Sequence, residues 1–474
     1  MALAGRLWRR AMTEFSEISG VKGRLFPSPS VDEQLPLPEK GVYPSYVLSD
    51  NAFRPTPAPV RRRVFAAFFN EQNESSFGRV NVQQQRPLDI DHLRRLATKL
   101  FTYGQYFHAD MLLAELADLN EEDRAQIALR RAQIGLLSDR PGDASAQLAI
   151  ARDEYGRHVY FVGLEADVAV RKGDLSSAVA SLRQLGRHAR ADHLERFDGE
   201  WQQVAKLSSE PVTWDDTHPL PLVEVTVNDQ AGRFVLDTGT GDCLLDSEFA
   251  RRAGVEPGPY DQASFAGGHV GHWRLAKIEN LHIGRSEFRK VPGMIASLGD
   301  AFHHIADARV DGIIGAGLLR AAGGIDIEYH DARFTLGSPN VEDGEALWIA
   351  GPHYPLTSCR VNGGPPSSWF IDSGMSGIEL ACSESAARRH GALPLQQDIA
   401  AHGGGGSLAA KAVRIRHFQH AELEYPELPA AALKEFNLGR ELGIRIGGII
   451  GHNWLARHRV KLDYRTMQTH ISID

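Results

Sequence analysis

Cysteine is scarce in this chain. Only Cys243, Cys359 and Cys382 occur in 474 residues, and no CxxC pair is among them, so neither a disulfide framework nor a cysteine-based zinc knuckle is suggested. All three read as small buried apolar residues. Long apolar runs are missing too: none approaches the roughly 20 residues that a helix needs to cross a bilayer. The opening stretch MALAGRLWRRAMTEF puts arginines where a secretory signal carries its apolar segment. A cytoplasmic location is therefore expected, with no membrane partner. An excess of positive charge is also lacking. Acidic residues number 60 against 52 basic, for a net charge of -8, and no basic cluster interleaved with aromatics tracks a phosphate backbone. Nucleic acid is not an expected partner.

What is present changes character along the chain. Residues 1–90 hold PSPSVDEQLPLPEKGVYPS and RPTPAPVRRR, Pro-rich and without periodicity, and read as an irregular arm. Residues 91–206 carry alanine and leucine at helical spacing, as in HADMLLAELADL and LSSAVASLRQLG, and five or six short helices fit. RPGDASAQLAIA and RKGDLSSAVASL place Gly142-Asp143 and Gly173-Asp174 31 residues apart before similar helices. That spacing resembles tetratricopeptide-type repeats, whose period is ~34 residues; a plain helical bundle is the other reading. Either could dock a protein partner.

Beyond about residue 210, segments such as LPLVEVTV, RFVLD, GIDIEYHDARFTL, WFIDS and RVKLDYRTMQTHISI alternate or run apolar over strand lengths, which predicts an all-β region. Within it the stretch FVLDTGTGDCLLD, residues 234–246, threads an acid and a glycine through an otherwise buried strand. It has a counterpart. A shift of 135 residues carries Asp237 onto Asp372 in WFIDSGMSGIELAC and Tyr329 onto Tyr464. A shift of 134 carries LPLVEVTVND onto YPLTSCRVNG, and a shift of 136, one inserted residue beyond 135, brings DGIIGAGLL onto GGIIGHNWL. The glycine clusters AGGHVG at 266–271 and HGGGGS at 402–407 also correspond. Five features in the same order at nearly constant offset make the region two copies of one unit.

Each copy resembles a lobe of an aspartic peptidase, closest in size to the retropepsin-like kind. The motifs that carry the resemblance are Asp237-Thr238-Gly239 and Asp372-Ser373-Gly374, the glycine-rich flaps, and the braces Ile313-Ile314-Gly315 and Ile449-Ile450-Gly451. Covering about residues 215–474, the resemblance implies a bilobal β-barrel domain, with lobes at 215–340 and 350–474, behind the α-helical domain read from the periodicity at 91–206. It implies Asp237 and Asp372 as the catalytic pair, with water as nucleophile and no metal or other cofactor. Two carboxylates sharing one proton supply both the acid and the base that amide hydrolysis requires, the logic the aspartic-protease dyad exemplifies. The supporting positions implied are Thr238, Gly239, Thr240, Ser373 and Gly374, with the two hydroxyls of Thr238 and Ser373 cross-bracing the loops. The flap or substrate-binding positions implied are Gly267, Gly268, His269, Gly271 and Trp273, and Gly403, Gly404, Gly405 and Gly406. Retropepsins of viruses obtain the second aspartate from a second chain; duplication here provides both in one.

The copies are not equivalent. Thr240 can donate to the carboxylate beside it, whereas the matching residue is Met375, and the first flap carries His269, His272 and Trp273 where the second is nearly bare glycine. Other motifs lead nowhere: His269 and His272 lack a third metal ligand nearby, GIIGAGLLRAAGG does not fit GxGxxG, and SGMSG is not a GxSxG nucleophile elbow. Three readings of function follow. One is an aspartic endopeptidase acting on peptide or protein. A second has the same pair perform acid/base chemistry, a cyclisation or isomerisation, on a small molecule. The third is a catalytically silent binding module.

Overall fold

The computed structural model describes residues 90–473 apart from 216–219, 265–269, 299–308, 352, 404–405, 435–438 and 440–441. The arm expected over 1–90 lies outside them but for its last residue. Gly267, Gly268, His269, Gly404 and Gly405 lie outside them as well.

Among the described residues seven helices come first, in the order α1 (Ile90–Thr102), α2 (Tyr106–Leu119), α3 (Arg124–Leu137), α4 (Pro141–Tyr155), α5 (Val159–Lys172), α6 (Leu175–Gln184) and α7 (His188–Glu195), each packed on its neighbours in the chain. The apolar spacing dictates the buried stripes: Leu93, Ala97 and Phe101 in α1 recur every four residues and face inward. The two similar-looking turns turn out to differ. Pro141 is preorganised for a first helical position, so α4 begins there and Gly142 already belongs to its first turn. Gly173 instead ends α5 at φ 72°, and Asp174 caps α6 by accepting from the Ser177 N–H at 3.1 Å. None of the helices among the described residues is long and apolar enough to cross a membrane.

The helical segment is shorter than its sequence suggests. Gln203–Lys206, grouped with the helices by composition, is a strand on the edge of the first lobe, where it pairs with Arg289, Phe288 and Glu287. Short polar runs carry too little periodicity to separate the two states.

The lobes then repeat element for element. Strands Leu222–Val227, Gln230–Asp237 and Cys243–Asp246, a short helix Ser247–Arg252, the hairpin Pro257–Ser264/Val270–Ile283, and strands Ser286–Ala296 and Gly312–Gly315 make the first. Tyr354–Val361, Ser367–Asp372, Leu380–Ser383, helix Glu384–Arg389, the hairpin Leu393–Gly403/Gly406–His420, Leu423–Leu433 and Ile446–Gly451 make the second. Each lobe closes as an eight-stranded sheet. In both, the aspartate strand runs parallel to the brace strand, which sets Asp237 opposite Gly315 and Asp372 opposite Gly451. Gly315 must be glycine, because a Cβ there would lie 2.6 Å from the Asp242 carbonyl oxygen.

A third, six-stranded sheet joins the lobes, and its central strands Gly324–Glu328 and Arg459–Asp463 pair antiparallel with Asp326 opposite Lys461. Those two residues are 135 positions apart, so an approximate two-fold axis of the duplication passes between them. Arg459 holds Asp326 through Nε at 2.9 Å and Nη2 at 2.7 Å across this seam.

The first three helices complete the core of the second lobe. Leu93, Phe101, Tyr106, Leu113 and Leu116 form one apolar cluster with Leu356, Phe370, Met375, Ile446 and Ile449, and the buried Tyr106 hydroxyl lies 3.0 Å from Ser368 Oγ. A chain starting at residue 203 would expose this whole face. We expect it to aggregate or to keep its far-ultraviolet circular dichroism while losing near-ultraviolet signal and cooperative melting; a sharp thermal transition in that fragment would contradict the shared core.

Candidate active site

The strand FVLD is buried up to Leu236 and delivers Asp237 half-buried at its end. Its partner arrives the same way, as WFID buries Trp369, Phe370 and Ile371 and leaves Asp372 half-buried. Between them lies a reciprocal bracket. The Thr238 N–H donates to Ser373 Oγ at 3.0 Å and the Ser373 N–H donates to Thr238 Oγ1 at 3.0 Å. Each hydroxyl then donates across the lobes, Thr238 to the Ile371 carbonyl at 2.8 Å and Ser373 to the Leu236 carbonyl at 3.0 Å. Both side chains are 1% exposed, so every hydrogen bond removed here would leave a buried group unpaired. Thr238→Val or Ser373→Ala should therefore cost about 1–3 kcal/mol of stability, read as a lowered midpoint in urea; an unchanged midpoint would mean that the bracket does not hold the lobes.

The bracket sets the two carboxyls close enough to act on each other's titration. Close approach also needs the glycines. A Cβ on Gly239 would lie 2.6 Å from Asp372 Oδ1, and one on Gly374 would lie 2.7 Å from Asp237 Oδ2. Either Gly→Ala substitution must therefore push the pair apart.

The hydrogen bonds to the two carboxyls are unequal. Asp237 accepts from the Gly239 N–H on Oδ1 at 2.7 Å and from the Thr240 hydroxyl on Oδ2 at 2.7 Å. Asp372 accepts only backbone donors, the N–H groups of Gly374 at 3.1 Å and Met375 at 3.0 Å, both on Oδ1. Burial pushes both carboxyls above the usual range. For Asp237 the Thr240 hydroxyl and the Gly239 N–H pull back down, while for Asp372 the neighbouring charge of Asp237 adds to burial and holds it well above. The two carboxyls thus titrate as a pair, and the Thr240 hydroxyl and Gly239 N–H favour the charged form on Asp237.

Met375 holds the backbone place of Thr240: its carbonyl accepts the His452 N–H at 2.8 Å, as the Thr240 carbonyl accepts the Ala316 N–H at 2.8 Å. Its side chain offers the carboxyl no hydroxyl and is buried in the cluster shared with the helices. The second active-site loop is thereby packed directly against α1–α3.

Both hairpins form at the expected flap positions. Ser264 pairs with Val270 in the first and Gly403 with Gly406 in the second, and Gly271 lies opposite Ala263. Trp273 is placed differently from the flap reading: it is 8% exposed and packs with Leu275, Met294 and Ile313 inside the first lobe. An indole at the hairpin base buries too much apolar surface to be left in the cleft. Cys243, Cys359 and Cys382 are all buried free thiols.

Three neighbours escaped the sequence reading. His353, from the second lobe, sits against the first active-site loop with Nε2 3.4 Å from the Gly239 carbonyl oxygen. His452 follows the second brace and meets Tyr329 edge-on, ring centroids 5.4 Å apart. The Tyr329 hydroxyl is pushed up by burial and by the negative charge of both aspartates, which places it near the pair. The 135-residue offset that aligns Tyr329 with Tyr464 was the one signal for these residues, since His452 faces Ala316 across the repeat and so marks another asymmetry.

The family described as aspartyl protease matches residues 223–318 and again 357–454. No curated protein sequence matches the chain. Among solved structures, the chain is similar to a retropepsin-like aspartic protease from Rickettsia conorii, at 20% identity over 29% of this chain and 94% of that one, with a TM-score of 0.21. The aspartyl-protease model thus matches the chain twice in tandem, behind a helical segment.

Proposed function

We propose that this chain, built on two tandem aspartyl-protease units, is an endopeptidase that hydrolyses peptide bonds with a water held by Asp237 and Asp372. The observation that carries the reading is the reciprocal Thr238/Ser373 bracket, which sets the loops of the two half-buried carboxyls face to face.

The inequality of the pair assigns the roles. Asp237, whose negative charge the Thr240 hydroxyl and the Gly239 N–H stabilise, takes a proton from the water as its oxygen attacks the carbonyl carbon. Asp372 gives its proton to the carbonyl oxygen, forming a tetrahedral diol. As the C–N bond breaks, the nitrogen takes the proton now on Asp237, and one diol hydroxyl returns its proton to Asp372. Both carboxyls end as they began. The hairpins, as glycine-rich β-ribbons, can pair with an extended substrate backbone.

Incubation with a mixture of unfolded proteins in 18O-labelled water tests this. New peptides with one heavy oxygen in each new C-terminal carboxyl are expected, and none should form with Asp237→Asn. Turnover of a small molecule without any peptide cleavage would replace the endopeptidase reading by acid/base chemistry on that molecule.

For the helices we propose a docking role toward protein substrates or partners, supported by Phe107, Leu119 and Ile150, which stay exposed there. Phe107→Ser should slow cleavage of proteins but not of short peptides; equal slowing of both would oppose it.

A further inference from the structure

Helix α7, the last of the helical segment, packs on the first-lobe hairpin Pro257–Ser264/Val270–Ile283. One side chain at that junction reaches three parts of the molecule. Arg190 Nε donates to Asp261 Oδ2 at 2.6 Å, and Nη1 lies 3.6 Å from Asp242 Oδ2. Asp261 belongs to the outer strand of the hairpin. Asp242 closes the loop that begins at Asp237, and its carbonyl lies against Gly315 of the brace strand. A single guanidinium therefore ties the helices, the hairpin and the first active-site loop together.

The second lobe uses the matching position differently. Strand Cys243–Asp246 and its following helix recur as Leu380–Ser383 and Glu384–Arg389, 137 residues on, which sets Asp242 opposite Glu379. Glu379 accepts from Arg457 of its own lobe at 2.7 Å, whereas Asp242 faces an arginine of the helical segment.

We propose that Arg190 is a positioning residue that sets the first-lobe hairpin against the loop of Asp237; its catalytic consequence rests on the endopeptidase reading above. The planar fork of an arginine can face two carboxylates at once, which the point charge of a lysine cannot do with the same geometry. The other charges at this junction keep away from that role: Arg196 donates through Nη2 to the Glu256 carbonyl at 3.3 Å, and Arg187 interacts with both Asp167 and Asp261 without a direct bond to either. Burial pushes the Asp242 carboxyl up, Arg190 pulls it back down, and the charge of Asp261 adds to the rise.

Hydrogen exchange on the full chain is the test, because it reads positioning whether or not a substrate is cleaved. In Arg190→Ala, amides of 257–264 and 241–243 should exchange at least about tenfold faster, while those of 393–420 stay as in wild type. Asp261→Asn should give the same hairpin pattern, and adding it to Arg190→Ala should change little more. Arg190→Lys should fall between. On a cleaved peptide, kcat/KM should fall about tenfold in Arg190→Ala, without the total loss expected of the aspartates. Asp237→Asn should leave the exchange pattern as in wild type, so a chain that cleaves nothing still decides the question. Unchanged hairpin exchange in both Arg190→Ala and Asp261→Asn, or acceleration equally spread over the second lobe, would overturn the proposal.

Discussion

Asp372→Asn is expected to lower peptide turnover by about 10³-fold or more, and to make the protein more stable at neutral pH at the same time. The first effect follows from removing the group that holds the shared proton, since a positioned acid or base contributes about 10²- to 10⁴-fold, and here one pair does both tasks. The second follows from the raised carboxyls. A carboxyl whose folded pKa lies above its unfolded value adds stability only at pH low enough for it to be protonated, and that contribution is lost as pH rises through the folded value. At pH 7 the buried pair is a load on the fold, and an amide in place of Asp372 removes it. The melting temperature of Asp372→Asn should rise by a few degrees, in line with about 2–4 °C per kcal/mol for a chain of a few hundred residues. Asp237→Asn should lose activity equally but gain less, because the Thr240 hydroxyl and the Gly239 N–H already stabilise that charge. Full activity in either variant, or strong destabilisation of both, would contradict the assignment.

Acid should unfold the second lobe. His353, His390, His420, His452 and His458 all belong to it, and burial lowers each from its ordinary value to about 4. They are held by specific neutral contacts: His420 Nε2 meets Thr357 Oγ1 at 3.1 Å, His390 Nε2 meets the Gly447 carbonyl at 3.1 Å, and His458 Nδ1 meets the Trp454 carbonyl at 2.8 Å. The sign is opposite to that of the aspartates. A histidine depressed in the fold contributes stability that is fully present above the unfolded pKa near 6.5 and is lost as pH falls from there toward 4. A shift of this size corresponds to roughly 3 kcal/mol for one such buried residue. Several together rival the whole stability of a typical protein, about 5–15 kcal/mol. The melting temperature should therefore fall steeply between about pH 6.5 and 4, outweighing the gain from the two aspartates. The window for catalysis should lie above the pH at which the lobe opens, even though the pair itself would keep its proton lower down. A melting temperature that stays flat to pH 4 would contradict this.

The central site was legible because duplication wrote it twice. Asp237 and Asp372, the Thr238/Ser373 bracket and the Ile-Ile-Gly braces recur at an almost fixed offset, and a recurring pattern can be read without coordinates. The flap hairpins followed from their glycines. Single residues with no repeat behind them were not legible. His353 reaches the first loop from the other lobe, and Arg190 reaches it from the helices; neither sits in a pattern of its own. Met375 was visible as a departure from Thr240, but the reason for it lies in packing that only the folded chain reveals, since helices α1–α3 complete the core around it. Trp273 was misplaced for a related reason, because a residue in a flap strand can face either side and the alternation alone did not say which. The strand Gln203–Lys206 was missed because it is fully exposed and offers no apolar signal.

The most direct measurement compares four samples on one peptide mixture: wild type, Asp237→Asn, Asp372→Asn, and an equal mixture of the two variants, with products identified by mass spectrometry. The account predicts cleavage by wild type alone, since both carboxyls of a site come from one chain and neither variant holds a complete pair. Cleavage by either variant alone at the wild-type rate would contradict the two-carboxylate site, and cleavage by the mixture alone would show that sites form between chains instead of within one.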